Sequence, residues 1–203
     1  MAKRNAKRKF TSLTLSEALR LFQCENFTLW KIDAPALPPS DVLMEIFKRL
    51  EGFDVEMSEP AKELLIDALF GEIIVRHEAI KIWKAAPLAT DTLNGYANYI
   101  IAPRRAFVRT PMLCAVEAKR DDFEAGAVQC IAEMYACQWL NEKDGFTADI
   151  YGIVSNGAGW QFYKTDAPGY LYRSGVSSMV NLPELLGALE SVFAACAALV
   201  GGK

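Results

Sequence analysis

Apolar and polar residues recur along this chain in two rhythms, and the change between them falls near Pro87. Before it, helical spacing dominates. Thr14-Leu15-Ser16-Glu17 carries a Ser/Thr start signal and opens a short helix to about Phe22. Residues 26–40 read as irregular and end in ALPPS, which suits neither a helix interior nor a central strand. Asp41 is the expected N-cap of a helix to about Leu50, closed by Gly52. Ser58-Glu59-Pro60 opens a longer helix expected to reach Trp83. Its apolar stripe is Leu65, Leu69, Ile73, Ile80 and Trp83, at steps of three and four or their sums. Glu72 and Arg76 lie on that stripe and are one helical turn apart, close enough to pair, whereas Glu63, Asp67 and Glu78 lie off it.

After Pro87 the texture is that of strands. Leu88–Leu93 and Tyr96–Ala102 flank Asn94-Gly95, a strong hairpin signal. MLCAV, residues 112–116, is apolar on both faces, as a strand in the middle of a sheet must be. A helix is expected from Phe123 to about Leu140, with Ala125, Gly126, Ala132 and Ala136 small enough for close packing on the sheet. Strands at Ile150–Ser155 and Trp160–Lys164 flank an Asn156–Gly159 turn, and Gly169–Tyr172 reads as a short edge strand. Trp160, Phe162 and Tyr163 read as core and sheet residues. The last helix, about Pro183 to Leu199, carries Glu184 and Glu190 and reads as core cover or a homodimer interface, not a membrane span. This order predicts an α/β domain over residues 13–203, a single mixed β-sheet flanked by helices on both faces, preceded by a flexible basic arm at residues 1–12.

Composition narrows the chemistry. Of 203 residues, 52% are apolar and 23% charged, with net charge −3. Five of the 22 basic groups lie in the first ten residues, so the rest of the chain sets 17 against 25 acids. A cationic coat for nucleic acid is excluded; such a partner must be met by local patches, the basic arm or metal ions. Arg104, Arg105 and Arg109 form one patch able to touch phosphates, or a solvated loop. The five cysteines show no CxxC spacing and read as reduced core residues of a cytoplasmic protein. The single histidine, His77, reads as structural, and its solitude removes zinc sites built on several histidines.

The candidate chemistry lies where the central strand ends. Leu113, Ala115, Glu117 and Lys119 share one face of it. A buried carboxylate and ammonium cost several kcal/mol unless paired or metal-bound. A plain ion pair at the sheet edge explains them, but so does a site. Asn98 lies 19 residues upstream on the preceding strand, Glu72 on the apolar stripe of the long helix, and Gln129 in the helix that follows.

The segment GYANYIIAPRRAFVRTPMLCAVEAKRDDFEAGAVQCIAEMYA resembles the core of the PD-(D/E)xK nuclease superfamily, the restriction-endonuclease-like fold. It is closest in texture to the nuclease domain of type I restriction enzyme motor subunits and to uncharacterised bacterial relatives. YGIVSNGAGWQFYK fits as well, so the nuclease-like core covers residues 59–165. The resemblance implies a metal-dependent nuclease that hydrolyses DNA with Mg2+ or Mn2+. In it Glu117 is a metal ligand, Glu72 completes or supports the metal site, and Lys119 activates the attacking water and stabilises charge on the phosphate. Gln129 orients metal, water or substrate. Asn98 departs from the pattern: the family has an aspartate there, and an amide offers a carbonyl oxygen without the charge. Asp91 compensates if the hairpin brings it near; Asp121 and Asp122 are further candidates, or a solvated turn and helix cap. Three readings stand: a metal-dependent nuclease, a degenerate member of the fold that binds nucleic acid or a protein, and an unrelated α/β interaction module with a plain Glu117–Lys119 pair.

Overall fold

Three of the helices start on side chains that the sequence makes readable. Thr14 and Glu17 form a reciprocal capping box at the first helix. Ser40, rather than the expected Asp41, and Ser58 cap the next two through the backbone N–H groups of Leu43 and Ala61, Asp41 being the first residue of its helix. A computed structural model of the chain describes residues 6–119, 123–166 and 170–201. Its elements are β1 (Arg8–Lys9), α1 (Leu15–Leu21), β2 (Thr28–Trp30), α2 (Asp41–Leu50), α3 (Glu59–Ile74), β3 (Ile80–Ala89), β4 (Leu93–Pro103), β5 (Cys114–Ala118), α4 (Phe123–Lys143), β6 (Ile150–Ser155), β7 (Gly159–Thr165), β8 (Tyr172–Ser178) and α5 (Leu182–Gly201).

The strands form one mixed eight-stranded sheet, flanked by helices on both faces. β3, β4 and β5 are successively antiparallel. α4 then carries the chain over to β6, which lies parallel to β5. β7 and β8 continue antiparallel, and β2 closes that side parallel to β8. α1 and α4 cover one face; α2, α3 and α5 cover the other. Trp160, Phe162 and Tyr163 are core residues, and all five cysteines are free and buried. The span Met179–Gly201 is long and apolar enough to cross a membrane, but its Leu185, Leu186, Leu189, Val192, Phe193 and Cys196 lie in the core. His77 packs on Phe193 of that helix and sits 3.2 Å from Glu190, a structural placement.

Four expectations change. The long helix ends at Ile74, and Ile80–Trp83 belong to β3. The stripe from Leu65 to Trp83 joined two elements: a helix up to Ile73 and a strand whose outer residues pair with β4 from Pro103 back to Asn94. Second, Asn94-Gly95 lies inside β4, and the chain reverses at Thr90–Thr92. The Thr90 hydroxyl accepts from the backbone N–H of Thr92 and Leu93 and so builds the turn. Gly95 is needed for contact instead: a Cβ there would lie 2.4 Å from the Phe10 ring. Third, the described part of the basic arm is docked. Arg8 and Lys9 pair with β4, Lys7 donates to the Thr90 carbonyl, and Phe10 is buried. Fourth, β2 arises in sequence read as irregular, and β8 starts at Tyr172, where the expected edge strand ends; residue 169 of that strand lies outside the described residues.

Two details fix α4 against the sheet. A Cβ at Gly152 would meet Met134 Sδ at 2.4 Å, so only glycine admits the helix this close. At the far end, buried Asn141 accepts from the Met112 N–H at 2.7 Å and donates to its carbonyl at 2.8 Å. One helix thus clamps the entry to β5 and lies along its exit.

Candidate functional site

β1 and β5 share one edge of β4, β1 at Leu93–Asn94 and β5 at Tyr99–Ile101. Neither strand pairs with residues 95–98 on that edge, and Asn98 fills the break with its side chain. Its Oδ1 accepts from the Ala118 N–H at 3.1 Å, and its Nδ2 donates to Glu63 Oε1 of α3 at 3.0 Å. Across β3, Ala85 holds a left-handed φ of 50°, and the β3–β4 ladder skips the Ala85–Asn98 step. A non-glycine residue in that region is strained, and such strain gathers at sites.

Lys119 follows β5 and is held by its own N–H on the Ser155 carbonyl at 2.8 Å. Its ammonium lies 2.6 Å from Glu117 Oε1 and 3.8 Å from Glu59 Oε1, the first residue of α3. Its stem crosses Gly126 in the first turn of α4, where a Cβ would come within 2.9 Å of it. The N-terminal ends of α3 and α4 therefore both meet Lys119. Beside them Lys84 of β3 joins Glu63 at 3.0 Å and Asp67 at 2.8 Å, over the Tyr99 ring.

Behind Lys119 two carboxyl groups meet. Glu117 and Glu133 are almost wholly inaccessible, and their side chains contact one another. Glu133 is fixed from one side by Gln129, whose Nε2 donates to it at 3.0 Å. Among the described residues Oε2 of each glutamate has no hydrogen-bond donor. Burial pushes the Glu117 carboxyl up, the Lys119 ammonium pulls it back, and Glu59 and Glu133 complete its charged surroundings; the balance is about 7. Burial, and then the Glu117 charge, hold the Glu133 carboxyl well above the usual range. At neutral pH the pair retains a proton, as two buried carboxyl groups in contact must.

This sets a pH dependence. Between about pH 4.5 and 7 an unfolded chain releases a proton that the folded pair keeps, so the folded state binds more protons and stability falls as pH rises. The metal-free protein is expected to lose roughly 3 kcal/mol across that window from Glu117. Urea denaturation in EDTA at pH 5 and 7, in wild type and Glu117→Gln, measures it; equal losses in the two would remove Glu117 as the cause.

Of the residues singled out from sequence, Glu117 and Lys119 pair directly, Gln129 reaches Glu117 through Glu133, and Asn98 is tied to the backbone between them at Ala118. Glu72 does not join them. It lies thirteen residues beyond Glu59, about 20 Å along α3, and accepts from the N–H and hydroxyl of Ser40, at 3.0 and 2.7 Å, where α2 begins. Its partner is therefore Ser40 rather than Arg76. Glu59 and Glu63 bring the acids of α3 to the cluster. Asp91 is exposed in the β3–β4 turn and acts on Tyr135, not on Glu117. Asp121 and Asp122 lie outside the described residues. Arg104, Arg105 and Arg109 are exposed. Glu133 carried a signal in the sequence: an acid one turn after Gln129 in an otherwise apolar run.

Among the described residues no three His, Cys, Asp or Glu side chains gather into a metal cage. What they offer is two hard carboxylate oxygens without donors, on Glu117 and Glu133. That donor set fits a magnesium-type ion, which is commonly held by one or two carboxylates, with waters and a substrate phosphate making up the rest. The chain matches no family model, and no curated protein is significantly similar to it.

Proposed function

We propose that the chain is a metal-dependent nuclease of the restriction-endonuclease-like fold, hydrolysing phosphodiester bonds in DNA. The observation that carries this reading is the meeting of Asn98, Glu117, Lys119 and Gln129 from β4, β5 and α4, beside the acidic first turns of α3. The resemblance predicts Glu117, Lys119 and Gln129 in that chain order, with an aspartate at the place Asn98 takes. The surroundings suit an anion as well. Two helix N-termini and the Lys119 ammonium favour a phosphate at this end of the sheet. Free reduced cysteines agree with a cytoplasmic setting.

Each residue then has a task. Glu117, with its partnerless Oε2, would hold a Mg2+ or Mn2+ ion, and Asn98 Oδ1 retains a second lone pair toward the same region. When bound, such an ion lowers the pKa of a water and offsets the charge of a polyanion. Lys119, partly exposed in front of Glu117, places an ammonium where charge develops on the phosphate. Gln129 orients Glu133 and keeps the carboxyl pair in register.

A second reading is favoured by one observation: the acids are already balanced by protein groups, Glu63 and Asp67 by Lys84 and Asn98, Glu117 and Glu59 by Lys119. On it the domain binds nucleic acid without cutting. Titrating Mn2+ and Mg2+ into wild type and Glu117→Ala by calorimetry, with a plasmid-nicking assay on the same pair, separates the two. Binding and nicking that both vanish in the variant support the nuclease. Plasmid retained without nicking at any metal concentration supports the second reading.

A further inference from the structure

Resting on the nuclease reading, we infer that Glu133 is the second metal-holding carboxylate of this site, in place of the negative charge that Asn98 cannot supply. The argument begins with burial. Glu133 is wholly enclosed on a helix face shared with Cys130, Cys137 and the small residues that seat α4 on the sheet. An acid in such a place costs several kcal/mol unless something satisfies it. Gln129 satisfies only one of its oxygens, at 3.0 Å. Among the described residues the other has no donor, and neither has Oε2 of Glu117, whose side chain Glu133 contacts.

A purely structural contact between these glutamates would be served better by a glutamine, whose amide N–H would donate to the facing carboxylate. Two orphaned acceptors side by side are instead what a hard dication needs. The geometry at Asn98 makes the assignment specific. Its Oδ1 is engaged by Ala118, and its Nδ2 turns a donor toward Glu63, so it brings no charge and only one free lone pair. On α3, Glu63 is engaged by Lys84 and Asn98, and Glu59 stands beyond Lys119. Glu133 is the carboxylate in side-chain contact with Glu117 that no lysine holds closely: burial and the Glu117 charge outweigh Lys119 around it.

The test is Glu133→Gln, in which the Gln129 contact can persist and the new amide can donate to Glu117. The probe is Mn2+ alone. In EDTA at pH 7 the variant is expected to melt about 3 °C or more above wild type, because a buried acceptor without a donor is replaced by an amide that can donate. Its calorimetric Mn2+ affinity is expected to fall at least about tenfold, since even an outer-sphere partner is worth that much. The Mn2+-induced rise in melting temperature should shrink with it. Wild-type Mn2+ affinity in Glu133→Gln, with binding lost in Glu117→Gln, would overturn this inference and leave the nuclease reading standing. Absence of Mn2+ binding in the wild type as well would overturn both.

Discussion

Lys119→Met is expected to lower phosphodiester cleavage by about 10²- to 10³-fold, the loss that follows removal of one preorganised charge-stabilising group. Methionine keeps the stem that crosses Gly126 and removes only the ammonium. Glu117 then loses the ammonium that opposes its burial, so its carboxyl titrates higher than the present value of about 7. Residual activity should accordingly shift its acid limb to higher pH. Mn2+ affinity above that limb should hold or tighten, because a positive charge 2.6 Å from the proposed ligand has gone. The decisive measurement is single-turnover cleavage against pH, beside Mn2+ calorimetry on the same preparation. Unchanged turnover would remove Lys119 from the mechanism.

Asn98→Asp has the second large effect, and it changes sign with metal. Without metal, a carboxylate oxygen replaces the Nδ2 group that now donates to Glu63 at 3.0 Å. A hydrogen bond becomes a like-charge contact. Glu63 is one-fifth exposed, so solvent screens part of the repulsion. A loss of about 2 kcal/mol is expected in EDTA. With Mn2+ the same carboxylate becomes a further anionic donor, affinity rises, and the lost stability returns. Urea denaturation in EDTA and in saturating Mn2+ reads both halves. A variant as stable as wild type in EDTA would show that the amide contact carries no weight; one that Mn2+ fails to rescue would take position 98 out of the ion's reach.

The sequence made one half of the candidate site legible and hid the other for physical reasons. Glu117 and Lys119 stood out because a strand apolar on both faces has no local use for charge. Asn98 and Gln129 drew notice by lying on the neighbouring strand and helix, and took their roles from the family resemblance. Glu72 drew notice by lying on an apolar stripe, but that stripe fused a helix with the strand after it, since residues at steps of three and four also occur by chance in a short alternating run. The half-buried position of Glu72 is explained by Ser40, 32 residues earlier, a contact no local pattern encodes. Asn94-Gly95 misled in the same way: its glycine answers to the Phe10 ring, not to a turn. β2 escaped notice because three residues pairing with a distant strand leave too short a run for any periodicity to register.

That last pairing has a consequence for how the molecule is made. Thr28 of β2 lies against Tyr172 of β8, 144 positions later, and Arg8 of β1 against Leu93, 85 positions later. During synthesis the N-terminal strands emerge long before their neighbours exist. Contacts of this span slow folding, because a long loop must close before any pairing compensates for it. Until β8 leaves the ribosome, β2 and the outer face of β7 remain unprotected edges. Yield from fast, warm expression should therefore fall short of yield from slow, cool expression, with the shortfall found in inclusion bodies. Emergence of β8, rather than formation of the β3–β4–β5 centre, becomes the step that commits the chain to its native sheet.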